Sequence, residues 1–99
     1  MRAILIAIAI SLPASAENVR VTVDGAGCRT RQLAIQRIWE KLPSIDEVEI
    51  LPHDERPADN QRIFVLNCPG DAPSREQLIE ALGRRAKHYR VLRVMPEGQ

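Results

Sequence analysis

Between residues 18 and 95 the apolar side chains change spacing in a fixed order, and that order constrains the fold more than any single motif. Val19, Val21 and Val23 alternate with Arg20 and Thr22, the period of a half-buried strand. Gly25-Ala26-Gly27 ends the alternation, since glycine allows the sharp turn from a strand into a helix. Ile35, Ile38, Trp39 and Leu42 then fall at i, i+3, i+4 and i+7. That is one face of a helix from about Cys28 to Leu42, stopped by Pro43. Period two returns over Glu47–Leu51, with Val48 and Ile50 inward and Glu47 and Glu49 outward. Pro52 to Asn60 is polar and reads as a long hairpin loop. Gln61–Cys68 contains the run Ile63-Phe64-Val65-Leu66, which suits a central strand covered more fully than its neighbours. Ser74 and Gln77 form a capping box that opens a helix burying Leu78, Ile79 and Leu82. Arg90–Met95 is the last strand, with Leu92 and Val94 alternating against Arg93.

The predicted order is βαββαβ. Its usual solution is an α+β ferredoxin-like domain, with two helices on one face of a four-stranded antiparallel sheet. The domain is expected to occupy residues 17–99, and the chain is too short for a second core.

Residues 1–16 read as a signal peptide. Arg2 is a short positive n-region, Ala3 to Leu12 is uncharged and mostly apolar, and Pro13 precedes the A-x-A sequence Ala14-Ser15-Ala16. The apolar run is shorter than the roughly 20 residues a membrane span needs. The expectation is a periplasmic or secreted chain that begins near Glu17 and has no membrane insertion after cleavage.

Charge and composition narrow the function classes. Lys plus Arg number 14 and Asp plus Glu 13, and Arg2 lies in the leader, so the mature chain is neutral. A nucleic-acid or anionic-membrane binder usually carries a basic excess. Trp39, Phe64 and Tyr89 are too few aromatics for a base-stacking platform. The sequence carries no nucleophile elbow, H-E-x-x-H, phosphate loop or G-x-G-x-x-G. Asp54 and Glu55 are adjacent acids in a polar loop without an evident partner base. An enzyme is therefore not expected.

The residues Val19-x-Val21-x-Val23-x-Gly25-x-x-Cys28 resemble the first strand and metal loop of heavy-metal-associated domains. The likeness continues through Ile35, Trp39, Leu42-Pro43 and Val48, and is limited to pattern in the second half. Exported members of that family carry mercury or copper, so the resemblance implies the ferredoxin-like fold and soft-metal binding. The family holds its metal between two thiolates of C-x-x-C. Here Arg31 stands at the second Cys position and Ala26 at the usual Met of the loop.

A replacement ligand is sought among residues at the same end of the fold. The loop after the first strand holds Cys28, the hairpin between strands two and three holds His53, and the loop before strand four holds His88 and Tyr89. A Cys28–His88 pair suits Cu(I), Hg(II) or Zn(II), with His53 a possible further ligand. Copper-carrying relatives with a histidine before strand four favour His88. A homodimer through facing Cys28 loops would restore a bis-thiolate site. A chain without any metal is the equal alternative.

Cys68 ends strand three and is expected at the far end of the sheet from Cys28. A buried structural thiol is the simpler reading, and a Cys28–Cys68 disulfide, favoured by an oxidising compartment, would require another strand order. Asp46, Glu47, Glu49, Asp54 and Glu55 concentrate on strand two and its hairpin, and Arg84, Arg85, Lys87, Arg90 and Arg93 on the second helix end and strand four. These become opposite sheet edges. They can be solvated charge that protects the edges, or docking sites for a partner protein or another copy. The leading expectation is an exported carrier or sensor of a soft or borderline metal. The alternative is a metal-free protein-interaction module on the same fold. A third reading, a redox thiol at Cys28 flanked by Arg29 and Arg31, lacks a resolving Cys.

Overall fold

A computed structural model describes residues 17–52, 54 and 58–97. The signal-peptide reading of residues 1–16 and the ligand reading of His53 lie outside the described residues. The elements are β1 (Glu17–Asp24), α1 (Arg29–Glu40), β2 (Glu47–Ile50), β3 (Gln61–Cys68), α2 (Arg75–Leu82), the 3-10 helix α3 (Gly83–His88) and β4 (Arg90–Glu97). The sheet is antiparallel throughout, in the order β2-β3-β1-β4. This is the α+β ferredoxin-like arrangement read from the periodicities.

The core lies between the helices and one face of the sheet. Val19, Val21 and Val23 of β1 and Phe64 and Leu66 of β3 are buried there, with Val48 of β2 and Val91 of β4 at the flanks. Ile35 and Trp39 of α1 and Leu78 and Leu82 of α2 cover them. Trp39 fixes the two helices to the sheet at once. Its indole N–H donates to the Leu78 carbonyl of α2 at 3.1 Å. Its ring meets Phe64 of β3 edge-on, with centroids 5.5 Å apart. A buried indole needs such an acceptor, and the edge-to-face geometry adds to simple area burial.

The capping box at α2 forms as read. Gln77 N–H donates to Ser74 Oγ at 3.2 Å, and Ser74 N–H donates to Gln77 Oε1 at 2.8 Å. Past Leu82 the chain tightens into α3 instead of the expected loop. Gly83 ends α2 at φ 59° and ψ −127°, a backbone conformation open to glycine and strained for other residues.

Strand four corrects the sequence reading. Simple alternation places Leu92 and Val94 inward. The β1–β4 register shifts between Thr22 and Val23, so Thr22 opposes Arg93 while Val23 opposes Val91. Leu92 is the extra residue of this bulge and is 43% exposed, whereas Val91 is 1% exposed. A bulge adds one residue to one strand only, so no pattern within β4 itself reveals it. Two substitutions separate the readings. Val91→Ala is expected to cost about 2 kcal/mol and lower the melting temperature by roughly 10 °C. Leu92→Ala is expected to stay within about 0.5 kcal/mol of wild type in the same melting experiment.

Candidate functional site

Three loops converge at the end of the sheet where β1 stops. Gly25 N–H donates to the Asn60 carbonyl at 2.9 Å, tying the β1–α1 loop to the β2–β3 hairpin. A Cβ at Gly25 would stand 2.5 Å from the His88 carbonyl oxygen. The same residue has φ 95°, so both space and backbone conformation require glycine. A Cβ at Gly27 would stand 2.8 Å from Asn60 Oδ1. The Cys28 loop and the His88 segment therefore share one end, as the topology implies.

Within that end the side chains close the loop on itself. Arg31 Nη1 donates to the Gly25 carbonyl at 3.2 Å. Gln32, buried, donates from Nε2 to the Ala26 carbonyl at 3.0 Å. Arg31 thus holds the backbone of the loop that precedes α1. The role of Gln32 was missed in sequence; its signal is a polar residue one turn before Ile35 and Gln36, on the inner side of α1.

Cys28 is the N-cap residue of α1, exposed, and its side chain makes no capping hydrogen bond. The first turn of α1 holds no acidic residue to complement the helix dipole. His88 is exposed, and its ring stands edge-on to buried Tyr89 with centroids 6.5 Å apart. Among the described residues no group of three or more His, Cys, Asp or Glu is placed to hold a metal ion.

Cys68 lies at the other end. It opposes Glu17, the first residue of β1, whereas Cys28 follows the last. Seven residue steps separate the ends of β1, roughly 23 Å, so the two sulfurs cannot bond within one chain of this topology. Cys28 is an exposed free thiol, and Cys68 is fully buried in the core, where its Sγ donates to the Leu66 carbonyl at 3.8 Å. Arg62, also buried, donates to the Leu51 carbonyl at 3.4 Å, while its Nε has no partner among the described residues.

The uncovered face of the sheet carries the second candidate surface. Across it run the rows Glu49–Val65–Arg20–Met95 and Ile63–Thr22–Arg93. Ile63 and Val65 are each 9% exposed, but Leu92 and Met95 are open at 43% and 48%. Leu92 and Arg93 border a hollow of about 230 Å³ with Thr22 and Gln61. Glu47 and Glu49 form the β2 edge of this face, and Arg90 and Arg93 the β4 edge. The exposed Arg84, Arg85 and Lys87 of α3 extend the basic side. On the helix side, Leu42, Pro43, Pro73, Gln77 and Ala81 line a mostly apolar groove of about 400 Å³, at the end remote from Cys28.

No described helix is long and apolar enough to cross a membrane. Gly25→Ala is expected to destabilise the fold by more than about 1 kcal/mol. Gly27→Ala should cost less, because it meets the movable end of Asn60; chemical denaturation of the two variants measures the difference. No protein-family model, curated protein or solved structure matches this chain.

Proposed function

We propose that the chain is an exported protein-interaction module whose docking surface is the uncovered sheet face and its basic β4 margin. Export rests on the n-region, apolar run and A-x-A order of residues 1–16. The observation that carries the docking reading is the bulge in β4. It turns Leu92 outward beside Arg93, onto the same face as exposed Met95. Two open apolar side chains framed by arginines form a surface that suits a partner with acidic and apolar residues in alternation. The β4 edge also has backbone groups available for pairing with an added strand.

The test is a titration with an alternating Glu/Leu peptide, followed by amide chemical shifts. Shifts are expected over residues 90–95. Arg90→Glu with Arg93→Glu should abolish them, and Cys28→Ser should leave them unchanged. Shifts centred on residues 25–28, or none at all, would refute the docking reading.

A second reading is a carrier of a soft metal ion, with Cys28 as the thiolate and His88 as its partner. Its support is the exposed thiol, free of capping bonds, on a loop whose Gly25 touches the His88 backbone. Neutral imidazole and thiolate suit Cu(I), Hg(II) or Zn(II). Against it, Arg31 already closes the loop and adds a positive charge beside the thiol. A Cu(I) competition titration decides it. The metal reading expects stoichiometric binding, lost in Cys28→Ser and weakened about tenfold in His88→Ala; the docking reading expects no stoichiometric binding.

A further inference from the structure

We infer that the partner of this docking surface is a second copy of the chain, joined head to tail, with β2 of one copy pairing with β4 of the next. The inference rests on the docking reading above. Both required surfaces lie on the same molecule, at opposite edges of the sheet and on the same face. Glu47 and Glu49 are exposed on β2, with exposed Asp46 beside them. Arg90 and Arg93 are exposed on β4. A mature chain with no net charge that separates its charges in this way attracts itself in one orientation.

Strand direction agrees. β2 is antiparallel to β3, β3 to β1, and β1 to β4, so β2 runs opposite to β4. Simple translation of one copy beside another therefore sets β2 antiparallel to the neighbour's β4, with the helices of both copies on the same side.

Matching faces and charges limit the register. Opposed residues in an antiparallel pair share a face. Setting Glu49 opposite Arg93 places Val48 opposite Val94 and Glu47 opposite Met95, with the faces of these three pairs matched, and leaves Ile50 at the bulged Leu92. Sliding β2 one way sets Val48 opposite Pro96, which has no N–H. Sliding it the other way, with Leu92 skipped as it is against β1, sets Glu47 opposite Arg93, Val48 opposite Val91 and Glu49 opposite Arg90. Both remaining registers set an acid opposite an arginine. The four-residue length of β2 keeps the contact small and the association weak. Because the two surfaces differ, the contact is heterologous and does not close at two copies.

The test is sedimentation equilibrium of residues 17–99, which contain every described element and the core. The wild-type mass is expected to rise with concentration past two chains, and to fall back in high salt. Glu47→Lys with Glu49→Lys, and Arg90→Glu with Arg93→Glu, each lower the association constant about tenfold or more, because both edges then carry one sign. Circular dichroism melts check that these exposed substitutions leave the fold intact. Mixing the two variants restores opposite signs at every contact, and the mass rises again. A mass that levels off at two chains, or one indifferent to charge reversal, overturns the inference. So does a wild type that stays monomeric throughout. A monomer that still shows the peptide shifts at β4 keeps the docking reading and loses self-association; a monomer without them loses both.

Discussion

The Trp39 indole is held from two sides, by the Leu78 carbonyl of α2 and by the Phe64 ring of β3. That double attachment sets both long helices on the same face of the sheet. The proposed docking surface follows from what it leaves bare. With the helices committed to one side, the other face of four strands has no covering layer among the described residues. Ile63 and Val65 on that face are shielded by neighbouring side chains, but Leu92 and Met95 are not. The same attachment fixes the direction of α1, so its start, with Cys28, falls where β1 ends and where the His88 segment returns.

At that loop end the chemistry departs from the soft-metal loops it resembles. A C-x-x-C loop is completed by its ion. Here Arg31 and Gln32 satisfy the Gly25 and Ala26 carbonyls, so the loop has its own closure. The glycine at position 25 serves the same closure, because only a residue without Cβ fits against the His88 carbonyl.

Much of this was legible in the residues. Val19, Val21 and Val23, the Ile35–Trp39 face and the Ser74–Gln77 box each carry a local signal that points to one structure, and together they specify the topology. That topology also placed Cys28 near His88 and far from Cys68. Three features were not legible, for physical reasons. The 3-10 helix over Gly83–His88 buries no side chain, so it has no apolar period to read. The β4 bulge exists only in the pairing of two strands. Arg31 reads as a lost ligand in sequence, and its bond to Gly25 depends on the loop's path through space. The proposed docking surface is built from the second of these, and the loop's self-closure from the third.

The most direct measurement is a dilution series of residues 17–99 followed by amide chemical shifts. The account predicts concentration-dependent shifts over residues 47–50 and 90–97, with residues 25–28 and 88 unmoved. Shifts confined to residues 25–28 and 88 would contradict it and put the working surface at the Cys28 loop.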